Sequence, residues 1–192
     1  MFNIKGSLKP IMKGLSKTQK KQIPFASAQA INTTLFQIMK AEKVQLPKKL
    51  DKPTPFTINA FAINKAKKTS LVGDIHVRPN RYKYLKYAIE GGTRTGNIGV
   101  PTYAAKLNKF GNITGRRTGL VKKKSQWIGK VNGKSGVWEK SKGGQVKLIV
   151  GFFKTVNYEK KFPFHKIAQG VAGRKFQANL RISLARAQAS AR

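Results

Sequence analysis

Apolar residues change period several times along this chain, and each change marks an element. After Pro24, Ala28, Ile31, Leu35 and Ile38 recur at alternating spacings of three and four, with Met39 beside them. That is the stripe of one helical face. The spacing predicts a helix that opens at Pro24, whose fixed φ suits a first turn, and ends before Pro47. Ala26, Ser27, Ala28 and Ala30 crowd its first turns and permit close approach to another helix or a sheet. From Phe56 the period becomes two. Phe56, Ile58, Ala60 and Ala62 alternate with Thr57, Asn59, Phe61 and Ile63, and Leu71, Gly73, Ile75 and Val77 alternate with Val72, Asp74, His76 and Arg78. This pattern predicts a hairpin whose loop lies around Asn64 to Lys68.

Tyr82, Leu85 and Ile89 then share a helical face, and Gly91-Gly92 stops that helix. Residues 93–145 have no sustained apolar period. They are rich in glycine, lysine and arginine, with Glu139 as their one carboxylate. The expectation there is a long basic insertion, a β-ribbon with strands around Gln126–Val131 and Gly136–Trp138 joined by an Asn132-Gly133 turn. Gln145 to Phe153 reads as a strong strand. Phe162-Pro163-Phe164 leads into a last helix, in which Ala168, Ala172, Phe176, Leu180 and Leu184 recur every four residues. Gly170 and Gly173 weaken its first turns, so a clean start is expected near Gly173. The fold class expected is α+β: an antiparallel sheet flanked by an N-terminal and a long C-terminal helix, with a basic, glycine-rich insertion. The domain reading is a basic arm over residues 1–22, broken by Gly6, Pro10 and Gly14, and one α+β domain over 23–192 carrying the insertion.

Charge changes the picture most. The 192 residues hold 40 Lys and Arg against 6 Asp and Glu, a formal net charge of +34. Folding does not require that excess, and self-repulsion in a compact body is a cost at low salt. A polyanion or an acidic neighbour is therefore expected in the working state, and nucleic acid is the commonest such partner. The basic residues run from Lys5 to Arg192 and are not gathered beside an apolar anchor, which argues against a membrane partner. No stretch reaches the roughly 20 apolar residues that cross a bilayer, and the opening stretch carries no apolar run of signal-peptide length. There is no cysteine, hence no disulfide and no thiolate zinc site.

Catalysis needs proton-transfer groups or metal ligands, and two histidines and six carboxylates are a thin supply. Asp74 and His76 lie two apart on one proposed strand and point to one face; without a third ligand nearby, they read as a polar outer face. Gly129 to Ser135 imitates a phosphate-binding loop but has three residues between its glycines where four are required. It is better read as a hairpin turn. The expectation is a protein without enzymatic activity, cofactor, metal site or small-molecule substrate. Dense basic clusters carry the alternative chemistry. Arg94, Arg116, Arg117, Lys122, Lys123, Lys124, Lys130 and Lys134 are the candidate DNA contacts, because lysine and arginine neutralise phosphates without reading sequence. Trp127 and Trp138 lie among them; stacking on bases is one reading, a small core for the insertion the preferred one.

Three segments resemble a known family, that of phage minor tail protein Z and related tail-completion proteins. Ile23-Pro-Phe-Ala-Ser-Ala-Gln-Ala-Ile-Asn32 is similar to the family's opening helix, which ends in a similar Ala-Ile-Asn. Ile89-Glu90-Gly91-Gly92-Thr93 resembles the [IV]-E-x-G-T that follows an aromatic stretch. Phe162-Pro163-Phe164 before a basic terminal helix resembles the closing segment. The resemblance implies an α+β fold and a homo-oligomeric ring, of six copies, at the head-proximal end of a tail or in a head-tail connector. It also implies a virion location after assembly in the bacterial cytoplasm. The partners implied are tail tube, tail terminator or portal and adaptor proteins, with double-stranded DNA held by its phosphates. Glu90, Thr93, Phe162 and Phe164 are then the candidate subunit-interface residues. Two rivals share the composition: a sequence-nonspecific RNA- or DNA-binding protein of ribosome-associated type, and a small metal-dependent nuclease using Asp74, His76 and Glu90.

Overall fold

A computed structural model describes residues 1–5, 17–113 and 124–190. The apolar stripe of the first helix is realised, on a longer helix than its spacing predicts: α1 runs Lys17–Lys49 and contains both Pro24 and Pro47. Each proline removes one backbone hydrogen bond. Around Pro24 that loss is offset by burial of Ile23, Ala26 and Ala28. At Pro47 it falls in the last turn, where the Leu50 amide still reaches the Leu46 carbonyl at 3.0 Å. Ile31, Leu35, Ile38 and Leu46 are fully buried on the inner face.

That face lies on a three-stranded antiparallel sheet. Residues 2–5, read from sequence as part of a basic arm, form the edge strand β1 (Phe2–Lys5). They pair with β3 (Val72–Val77), Phe2 opposite Ile75 and Lys5 opposite Val72. β2 (Phe61–Asn64) pairs on the other side of β3, with Ile63 also opposite Ile75. The first half of the expected hairpin strand is not a strand. Pro55–Ile58 is a helical turn, α2, with Pro55 at its start and Thr54 as its cap, the Thr57 amide donating to Thr54 Oγ1 at 3.2 Å. A capping threonine followed by proline outweighs the alternation that suggests a strand there. The phase also differs from the expected one, since Phe61 is the inward residue of β2.

α3 (Pro79–Glu90) ends at Gly91, whose φ of 75° is the left-handed conformation that closes a helix. Leu85 and Ile89 are buried, whereas Tyr82, expected on the same face, is exposed. α4 (Phe164–Ala189) starts at Phe164 and runs through Gly170 and Gly173 without a break. Its buried side chains are Phe164, Ala168, Val171, Asn179, Ser183 and Ala187, so the inward stripe is displaced from the larger apolar residues expected. Phe176, Leu180 and Leu184 lie half-buried beside it. α4 packs along α1. Small and polar side chains at this contact let the two backbones approach closely: Asn179 Nδ2 donates to Thr34 Oγ1 and to Gln37 Oε1, both at 2.9 Å. Phe61 closes the core with Phe164, stacked at 5.9 Å, and Phe162 at 6.1 Å.

Much of the described part of the glycine-rich middle is sheet. β4 (Gly92–Pro101), β5 (Gln126–Val131), β6 (Lys134–Lys140) and β7 (Val146–Tyr158) form four antiparallel strands in the order β4-β7-β6-β5. β7 runs five residues past the expected end at Phe153, because Thr155 to Tyr158 pair with Gly92 to Thr95 of β4. β4 has Ile98 as its buried apolar residue, so the hydrogen-bond ladder to β7 holds it more than any apolar pattern does. By contacts the chain divides into two compact units, residues 1–85 with 162–192, and residues 86–161. The class is mixed α+β with two antiparallel sheets and long N- and C-terminal helices.

Candidate nucleic-acid interface

The β5–β6 hairpin is set by its turn. Asn132 and Gly133 have φ values of 47° and 78°, the pair of positive angles a two-residue hairpin loop needs. With that turn fixed, Lys130 stands opposite Ser135 and Val131 opposite Lys134. The motif resembling a phosphate-binding loop is therefore two strands and their turn. Trp127 and Trp138 face each other across the hairpin. Trp138 is buried and donates from Nε1 to the Gly129 carbonyl at 3.2 Å; Trp127 is about one-third exposed, at 37 %. Trp138 is thus one of the unit's buried apolar residues, together with Val137, Val150 and Ile98, and Trp127 keeps an open edge.

Beside this hairpin the sheet carries a groove of about 730 Å³. Its walls are Lys130, Gly133, Lys134 and Ser135 from the hairpin, Gly96 and Asn97 from β4, and Leu148 with Gly151 to Lys154 from β7. Gly96 and Asn97 lie in an irregularity of β4 between Thr95 and Ile98, and such bulges bend a strand away from its neighbour. Lys130, Lys134 and Lys154 are exposed residues of this lining, Phe153 beside them is 50 % exposed, and the described lining contains neither carboxylate nor histidine. Ammonium groups beside an open aromatic face suit a phosphate backbone whose sugars or bases pass over the ring.

The sequence brings Lys130 and Lys134 to this place, and the fold adds Lys154 and Phe153. Those two escaped sequence reasoning because Phe153 sits in an apolar run that reads as core, and Lys154 lies just past the strand's expected end. Arg94, on β4 opposite Val156, and Lys124, before β5, are exposed and do not line the groove. Arg116, Arg117, Lys122 and Lys123 lie outside the described residues.

The remaining candidates fall elsewhere. Phe162 and Phe164 are buried in the chain's own core, which leaves them no surface for a neighbouring subunit. Thr93 is exposed on β4, its Oγ1 donating to Asn157 Oδ1 at 2.7 Å. Glu90 is the exposed last residue of α3. Asp74 accepts from both ends: Asn64 Nδ2 lies 3.0 and 3.1 Å from its two carboxylate oxygens, and His76 Nδ1 lies 2.8 Å from Oδ2. The dyad orients an imidazole, but among the described residues no three His, Cys, Asp or Glu side chains assemble as a metal site.

One carboxyl is unlike the rest. Glu42, on α1, is completely buried, and neither oxygen has a hydrogen-bond partner. Desolvation pushes its pKa from 4.5 to about 8. At neutral pH it is held mainly as the neutral acid, so it does little to offset the protein's positive charge. Set against protein-family models, curated proteins and solved structures, the chain matches none.

Proposed function

We propose that this chain is a structural protein that holds nucleic acid by its phosphates, and that it serves as a tail-completion or connector component of a tailed phage. The observation that carries the first part is the groove at Lys130, Lys134 and Lys154, with Phe153 open beside it and no carboxylate in its lining. A site of this chemistry binds a polyanion without reading sequence. The second part is supported by the resemblance at Ile23–Asn32, Ile89–Thr93 and Phe162–Phe164. It is also in keeping with the charge: copies carrying +34 each repel one another in a ring unless DNA or acidic neighbours lie against them.

The test of the groove is equilibrium binding of a labelled duplex of arbitrary sequence. Lys130, Lys134 and Lys154 are changed together to Glu, and compared with a protein in which three exposed cations of α4 (Arg174, Lys175 and Arg181) are reversed instead. The groove variant loses at least tenfold in affinity and the helix variant much less. Equal losses in the two would mean that charge alone, and no particular site, drives binding. The role in assembly is tested in the infected cell. Without the protein, heads and tails form and fail to join; joined, infectious particles would overturn that role while leaving DNA binding intact.

A further inference from the structure

A second groove, on α1, lies far from phosphate chemistry in its construction. Phe25 and Phe36 are 58 % and 45 % exposed, and with Gln29, Asn32 and Thr33 they form a stripe on α1 beside the buried one, with buried Ala28 at its edge. The other wall is the loop between β2 and β3, Lys65 to Lys68, and the open groove has a volume of about 600 Å³. That loop is built to stay in place. Asn32 Nδ2 donates to the Ala66 carbonyl at 3.0 Å, its Oδ1 accepts from the Ala66 amide at 2.8 Å, and Lys67 and Ser70 exchange backbone bonds at 2.9 and 3.0 Å. Lys65 is held with its ammonium 5.4 Å from the Phe36 ring. The result is a floor with two open aromatic rings, a lysine rim, and no carboxylate among the described lining residues.

We infer that this groove docks an acidic amphipathic helix of a different protein, its apolar side chains against Phe25 and Phe36 and its carboxylates against Lys65, Lys67 and Lys68. Charge complementarity selects the partner: a second copy of a +34 chain brings more lysine to a lysine rim. Spacing argues against single-stranded nucleic acid. Phe25 and Phe36 are eleven residues apart on one helix, about 16 Å along its axis, too far for successive bases to stack on both rings, but the right length for three turns of a helix laid in the groove. The pre-set loop lowers the ordering cost that such binding otherwise carries.

The experiment uses the full chain and three labelled probes: a designed peptide of about 18 residues with Leu on one helical face and Glu on its flanks, an unpatterned poly-Glu peptide of equal charge, and oligo-dT. Anisotropy gives affinity, and circular dichroism gives the helicity gained on binding. Expected are tenfold or tighter binding of the patterned peptide over poly-Glu, a gain in helix, and loss of that advantage in Phe25→Ser/Phe36→Ser at both low and high salt. Lys65→Glu/Lys67→Glu/Lys68→Glu weakens binding chiefly at low salt. Both Phe side chains are exposed, so the variant should keep its thermal transition; should it not, Phe36→Ala alone must still lower the patterned peptide's affinity. Equal affinity for the two peptides overturns the inference. So does oligo-dT binding that is lost in the Phe variant, which would make the groove a nucleic-acid site. Because this groove shares no residue with the one at Lys130, either can fail without the other.

Discussion

Glu42→Gln isolates the effect of one buried carboxyl on folding. In the folded chain Glu42 keeps its proton up to about pH 8, and in the unfolded chain it releases it near 4.5. Between those values the unfolded state binds fewer protons. Stability therefore falls as pH rises across that window, by about 1.4 kcal/mol per pH unit, and is flat below and above it. Accumulated from pH 4.5, the loss is about 3 kcal/mol at pH 7 and about 5 kcal/mol at pH 8, upper figures for a group with no compensating relaxation. Glutamine keeps the size and stays neutral, so its stability has no such slope. The assay is urea denaturation from pH 5 to 8 at high salt, which mutes the many surface charges. Helical circular dichroism reports chiefly α1 and α4, which share a unit; fluorescence of Trp127 and Trp138 reports the other unit and serves as an internal control. The difference between variant and wild type by dichroism grows steadily with pH, and the fluorescence difference does not. Parallel pH profiles for the two proteins would refute the assignment of a neutral, desolvated acid.

Asn179→Leu removes two hydrogen bonds at the α1–α4 contact and leaves buried Thr34 and half-buried Gln37 short of a partner; a loss of about 2 kcal/mol is expected in the same denaturation assay. Asp74→Ala deletes the acceptor shared by Asn64 and His76, and costs about 1 kcal/mol because the pair is partly exposed, with no change in duplex affinity. Magnesium-dependent cleavage of DNA that disappears in Asp74→Ala would instead establish the nuclease reading.

The helical and β periods that the sequence displays most openly were the ones realised: the Ile31–Leu35–Ile38 stripe, the Ile75 strand, the Asn132-Gly133 turn. Where prediction and structure part, packing and strand pairing outweigh the local signal of the sequence. Pro24 and Pro47 mark turns in isolation, yet burial of Ile23, Ala26 and Ala28 carries α1 through the first, and the second falls only in its last turn. Gly170 and Gly173 would weaken an isolated helix, yet α4 is anchored at Phe164 by Phe61 and lies along α1. β4 was unreadable because Gly92–Pro101 has almost no apolar side chains, and only its ladder to β7 makes it a strand. The candidate site was half visible for the same reason. Lys130 and Lys134 stand out as cations near a turn, but Lys154 joins them through pairing between segments far apart in sequence, which a single sequence does not display. Likewise Glu42 reads as an ordinary helical glutamate until α1 is packed.

The central claim is that the positive charge of this chain is directed at a polyanion through the groove at Lys130, Lys134 and Lys154. The most direct measurement is the dependence of duplex affinity on salt for the wild-type protein and the triple Glu variant. Each lysine that neutralises a phosphate contributes about 0.9 to the slope of log K against log salt, so the variant's slope should be shallower by about 2 to 3. An unchanged slope, with binding otherwise intact, would contradict the account.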